Sequence, residues 1–120
     1  MTVLLVFAGG VLGAPARYLL DRAVQRRHRN VLPWGTLSVN LLGSLVLGLL
    51  AGAAATLPDG LVAFAGTGVC GAFTTFSTFG YETTRLLEEG SLPEAGLNAL
   101  LSVALGVPAA AAGFALTAAL

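Results

Sequence analysis

Long uncharged runs alternate with short polar punctuation along this chain. The runs are Met1–Ala16, Asn30–Pro58, Gly60–Tyr81 and Ala95–Leu120. A helix that spans a bilayer needs about 20 apolar residues. Three runs meet that length outright, and the first reaches it through Tyr18, Leu19 and Leu20, beyond Arg17. The pattern predicts four transmembrane helices at about 2–21, 35–55, 61–87 and 94–119, an all-α membrane protein built as one domain over residues 1–120. The rival reading of the first run is a cleaved signal peptide. It lacks a basic start, and no small-residue cleavage site followed by a soluble domain succeeds it.

The punctuation agrees. Asp21–Pro33 is a polar, Arg-rich loop, and Trp34 stands where an interfacial ring belongs. Leu57-Pro58-Asp59-Gly60 reads as a tight turn. Ser91 and Glu94 have the spacing of a capping box, with Pro93 in the first turn of the last helix. Pro15 and Pro108 fall inside spans, where neighbouring helices cover the freed carbonyls. Small residues recur four apart at Gly9/Gly13, Gly48/Gly52 and Ala109/Gly113. Lipid supplies no hydrophobic drive for helix association, so close backbone contact through small residues takes its place. Residues 7–14, FAGGVLGA, faintly echo 64–72, FAGTGVCGA, a likeness that Gly/Ala-rich composition alone produces.

Composition narrows the function. Of 120 residues, 56% are hydrophobic and 10% charged, against roughly 25% charged in soluble domains. Every basic residue except the single His is Arg, and the net charge of zero offers nothing to nucleic acid. Cys70 has no cysteine to pair with and reads as a packed thiol. His28 lies in the basic loop as a solvated side chain. With no catalytic set, metal-ligand cluster or phosphate-cradling loop in the sequence, an enzyme is not expected.

Polar residues inside the spans therefore carry the information. Arg17 lies near the end of helix 1, Asn40 in the first turns of helix 2 after Thr36 and Ser38, Glu82 near the end of helix 3, and Ser102 in helix 4. The rest cluster in GAFTTFSTF, Gly71 to Phe79, after Gly66 and Gly68. Thr-Thr and Ser-Thr are poor helix formers, and after three glycines they make a helix that can break. Carbonyls freed in mid-membrane must be buried in protein or bind something, and converging ones make a small cation site. Phe76 and Phe79 share one helical face, and a phenyl ring has a positive edge. Hydroxyls, an amide, an Arg and ring edges suit an anion, whereas no carboxylate sits near mid-membrane to hold a cation. Each residue also has a plainer use. Paired Phe at this spacing more often pack, Ser and Thr bond back to their own helix, Arg17 can snorkel, and Asn40 can join helices.

GGVLGAPARY in helix 1, WGTLSVNLLGS in helix 2 and GVCGAFTTFSTF in helix 3 together resemble the CrcB/Fluc fluoride channels of bacteria. The likeness covers all four helices, in length and loop spacing too. It implies a small four-helix subunit of the inner (plasma) membrane, with a break in helix 3, that dimerises in antiparallel orientation around two narrow fluoride pores. Phe76 and Phe79 match the phenylalanines whose ring edges face the ion, Asn40 the pore-facing asparagine, and Arg17 the arginine of a pore vestibule. Gly71 and Thr74 match the positions whose main-chain carbonyls hold a structural sodium ion at the dimer centre. Thr75, Ser77, Thr78 and Ser102 are candidate pore hydroxyls, Thr36 a weaker one. Asn98 stands where the family often has a polar aromatic and is left outside the expected site. The partners implied are fluoride, sodium, membrane lipid and a second subunit.

Two other functions are weighed. A proton-coupled exporter of cationic compounds, like the small multidrug-resistance proteins, needs a carboxylate inside helix 1, and residues 2–20 hold none. A membrane scaffold leaves the polar run after Gly71 unexplained. The charge pattern adds one constraint. Arg22, Arg26, Arg27 and Arg29 lie in loop 1–2 and Arg85 beside loop 3–4, while the opposite side has no Arg. The positive-inside rule puts both loops in the cytoplasm and both termini outside. A chain that inserts both ways needs a weak bias, so the antiparallel partner is either a second copy of this chain or, as the bias favours, a homologue of opposite orientation. Reconstitution of the purified chain alone tests this: antiparallel dimers with two open pores would defeat the second.

Overall fold

The computed structural model describes residues 2–27, 33–74 and 76–119, with backbone alone at 76–78. These residues form α1 (Thr2–Arg27), α2 (Trp34–Gly52), α3 (Asp59–Val62), a π-helical stretch (Ala63–Cys70), α4 (Gly71–Phe73), α5 (Phe76–Glu88) and α6 (Leu92–Ala118). The described residues contain no strand. α1, α2 and α6 are long and apolar enough to cross a membrane, and Asp59–Phe73 forms a shorter apolar helical run.

α1 continues past the expected end at 21 to Arg27. Loss of hydrophobicity does not end a helix. No Gly or Pro follows until Pro33, and Arg26 and Arg27 in the last turn complement the negative end of the helix dipole. The run expected at 61–87, as a span able to break after its glycines, is covered by the 59–73 elements and by α5 from Phe76. Pro58 leads into it with an extended ψ of 143°, and Asp59 occupies the first turn.

α5 closes through Gly90, whose φ of +79° only glycine adopts without strain. There the Ser91 N–H donates to the Leu86 carbonyl at 2.8 Å and the Gly90 N–H to Leu87 at 3.1 Å. These two bonds form a Schellman closure. It holds Ser91 at φ −85°, ψ 60°, and the serine side chain makes no cap hydrogen bond. The expected capping box is thus corrected, because a capping side chain needs an extended backbone beneath it. Pro93 does sit in the first turn of α6.

Two backbone-to-backbone contacts hold the helices together. In the first, α1 lies on the π-helical stretch. A Cβ at Gly9 would strike the Phe64 carbonyl oxygen and stand 2.8 Å from the Val69 nitrogen, and one at Gly13 would strike the Val69 carbonyl. The two echoing stretches, 7–14 and 64–72, are therefore packed on each other. In the second, α6 lies on α2. A Cβ at Gly48 would meet the Ala110 backbone, and one at Gly113 would sit 2.6 Å from the Leu45 carbonyl oxygen and 2.9 Å from the Leu49 nitrogen. The Thr117 hydroxyl fastens this crossing by donating to the Leu49 carbonyl at 2.8 Å.

Among the described residues the largest fully buried side chains are Val39, Leu86 and Asn98. By contrast Phe7 is 71% exposed and Leu116 63%. Apolar surface on this scale faces lipid or another subunit. The molecule is 47 Å along its longest axis, matching a bilayer of about 40–45 Å with its headgroups.

Gly113→Leu is expected to destabilise the fold by about 2–4 kcal/mol through overpacking against main chain. Thermal unfolding in detergent checks this, with Gly96→Leu as the control, since nothing lies within 4 Å of a Cβ there.

Candidate functional site

α2 and α6 border a cleft of about 460 Å³. From α2 it is lined by Asn40, Gly43, Ser44 and Leu47, and from α6 by Ser102, Val103, Gly106, Val107 and Ala110. Both sets follow the spacing of a single helical face. Thr74 and Phe79 close the third side. A Cβ at Gly43 would collide with the Thr74 methyl group and stand 3.5 Å from Phe73 Cδ1. The missing side chain at position 43 is therefore what lets the end of α4 rest against α2.

Of the residues singled out from the sequence, Asn40, Thr74, Phe79 and Ser102 border this one cleft. Arg17 does not line it. Arg17 is half-buried on α1, and its Nε is buried without a hydrogen-bond partner among the described residues. Thr75 lies outside the described residues, as do the side chains of Phe76, Ser77 and Thr78. Gly71 is exposed, and a Cβ there would meet nothing within 4 Å.

At Thr74 the helix of α4 ends, with φ −81° and ψ 159°. Its N–H and its hydroxyl both donate to the Cys70 carbonyl, each at 2.9 Å. An extended ψ turns the Thr74 carbonyl away from the helical ladder. Thr36, buried on α2, donates to Glu82 Oε1 at 2.5 Å. That bond joins α2 to α5 outside the cleft wall.

Two residues gain roles that the sequence reading did not give them. Ser44 lines the cleft one turn beyond Asn40, a position that helical spacing from Asn40 identifies. Asn98 is 2% exposed and donates through Nδ2 to the Thr83 hydroxyl at 2.9 Å. Its main-chain carbonyl accepts the Ser102 hydroxyl at 2.7 Å. Asn98 thus ties α6 to α5 and holds a lining hydroxyl at the same time.

The cleft wall combines an amide, three hydroxyls, a phenyl ring and aliphatic side chains, and none of its lining residues is charged. Such a surface offers hydrogen-bond donors and a ring edge to a small anion without a fixed charge to trap it. The lining contains no carboxylate with which to hold a cation.

The family model for CrcB-like protein, camphor resistance (CrcB), matches residues 4–114. The chain is 55% identical over 115 residues to the fluoride-specific ion channel FluC 1 of Streptomyces avermitilis, covering 94% of this chain and 93% of that protein. It is 51% identical over 123 residues to the fluoride-specific ion channel FluC 1 of Frankia casuarinae, covering 97% and 95%. It is also 47% identical over 104 residues to the fluoride-specific ion channel FluC 2 of Mycobacterium tuberculosis, covering 87% and 81%.

Replacing Asn98 by Leu leaves the Thr83 hydroxyl facing an apolar side chain. The expected cost is about 0.5–1.5 kcal/mol, the net contribution of one hydrogen bond, because Thr83 is only half-buried. Thermal unfolding in detergent measures it, and Asn98→Gln is expected to recover part of the loss.

Proposed function

The chain belongs to the CrcB family, and we propose on that premise that it is a subunit of a fluoride-specific ion channel in the plasma membrane. It lets fluoride run passively out of the cell and so lowers cytoplasmic fluoride. The observation that carries the proposal is similarity, over nearly the whole chain, to proteins named for that activity. An uncharged cleft with several donors supports it, because passive conduction needs an ion that binds and also leaves.

Fluoride is small and strongly hydrated, so its path must replace water with donors and be too narrow for larger anions. Asn40 supplies amide N–H groups, and the positive ring edges of Phe79 and Phe76 supply weak attraction along a dry wall. Thr75, Ser77, Thr78 and Ser102 are further hydroxyls along the route. Arg17, away from the cleft wall, raises the local anion concentration at a vestibule.

In this reading four spans cross the membrane, and the third is interrupted between α4 and α5. Two subunits pair antiparallel, and the small and apolar residues of the cleft face the second one. The Arg bias of the loops favours a homologue of opposite orientation as partner. The main-chain carbonyls of Gly71 and Thr74 suit a sodium ion shared between the subunits. The exposure of Gly71 and the extended backbone at Thr74 support that fit. The ion would neutralise converging carbonyls, a structural role only.

Fluoride release from reconstituted liposomes tests the proposal, with a fluoride electrode outside and chloride release as the control. Rapid, fluoride-selective release that is lost in Phe79→Ile is expected. Release by the chain alone would remove the need for a different partner. If release begins only when an opposite-facing homologue is added, the pairing is established. Absence of release in both arrangements would defeat the channel reading.

A further inference from the structure

Three hydroxyls border the cleft, on Ser44, Thr74 and Ser102. A serine or threonine hydroxyl carries one proton and donates one hydrogen bond. An anion needs that proton, because the oxygen lone pairs repel it. Two of the three protons are already committed. Thr74 donates to the Cys70 carbonyl at 2.9 Å, and Ser102 to the Asn98 carbonyl at 2.7 Å. Each would have to break a bond to its own helix before it could turn toward an ion.

Ser44 differs. Among the described residues its hydroxyl makes no hydrogen bond, although a helical serine commonly bonds the carbonyl four residues back. It stands one turn beyond Asn40 on the same face of α2, so it extends the line of donors along the cleft. It borders the open volume of the cleft. The residue across the cleft on α6 is Gly106, and a Cβ built there would stand 3.8 Å from Ser44 Oγ, its one contact within 4 Å outside its own helix backbone.

We infer that Ser44 is a fluoride-coordinating hydroxyl, the one of the three cleft hydroxyls whose proton is ready without rearrangement, and that the glycine at 106 leaves the wall opposite it without a side chain. The inference rests on the channel reading and deepens it. It separates lining hydroxyls into one that greets the ion directly and two that exchange a backbone partner for it.

The arrangement allows the hydroxyl to be moved across the cleft. In the assembly that conducts, whether the chain alone or with its partner, Ser44→Ala is expected to slow fluoride release about tenfold, the scale of one hydrogen bond to a charged group. Ser44→Thr keeps the donor and is expected to retain most of the rate. Gly106→Ser placed in the Ser44→Ala background returns a hydroxyl from the opposite wall and is expected to restore most of it. Size-exclusion elution of each variant separates lost conduction from lost folding. Release unaltered by Ser44→Ala would overturn the inference and leave the channel reading intact. A Ser44→Ala defect that Gly106→Ser does not repair, in protein that elutes as wild type, would also overturn it. Wild-type vesicles that release no fluoride would overturn the channel reading, and the inference with it.

Discussion

Close contact between helix backbones is the constraint on which the rest of this structure depends. In lipid, apolar side chains gain nothing by leaving an apolar solvent for an apolar core, so packing must come from shape and from the few polar bonds available. The chain meets this with glycines placed where another main chain passes. Gly9 and Gly13 admit the backbone of 64–69, and Gly48 and Gly113 admit the crossing of α2 and α6. Polar side chains then fasten these joints: Thr117 on the Leu49 carbonyl, Thr36 on Glu82, and Asn98 on Thr83. The core of large buried side chains is correspondingly small.

The same economy shapes the cleft. Small residues at 43 and 106 leave room, and polar groups at 40, 44, 74 and 102 occupy its edges. The donors at 40, 44 and 102 belong to side chains of two long helices, so their spacing follows the helical repeat. A site of neutral donors holds an ion weakly and at several successive points, which is the condition for conduction rather than storage.

Much of this was legible in the sequence, for identifiable reasons. The apolar runs and glycine spacings gave away the helices and their tight joints, since both follow from the demands of lipid. Asn40, Thr74, Phe79 and Ser102 stood out because polar and aromatic residues are conspicuous in such runs. The end of α1 was missed because polar residues such as Gln25 and Arg26 end a membrane span without ending a helix. The capping box was missed because Ser91 is already held by the turn that closes α5. The π-helical stretch was not read, since the 3.6-residue pattern used to find helices does not distinguish a locally widened turn. Ser44 hid in an apolar setting, and its importance rests on two other hydroxyls having donated their protons elsewhere.

The π-helical stretch, Ala63–Cys70, carries one further implication. A π turn holds roughly one residue more than an α turn, so it is an insertion absorbed within a helix. Each residue of an α-helix rotates the chain by about 100°. Absorbed in this way, the extra residue leaves the helix faces on either side in register; without the wider turns it would swing everything after it around the axis by that angle. Thr74 would leave its seat against Gly43, and Phe79 would leave the cleft. What this segment must preserve is the match between its residue count and the width of its turns, together with the bare Cα of Gly68, where a Cβ would stand 2.7 Å from the Val6 carbonyl oxygen.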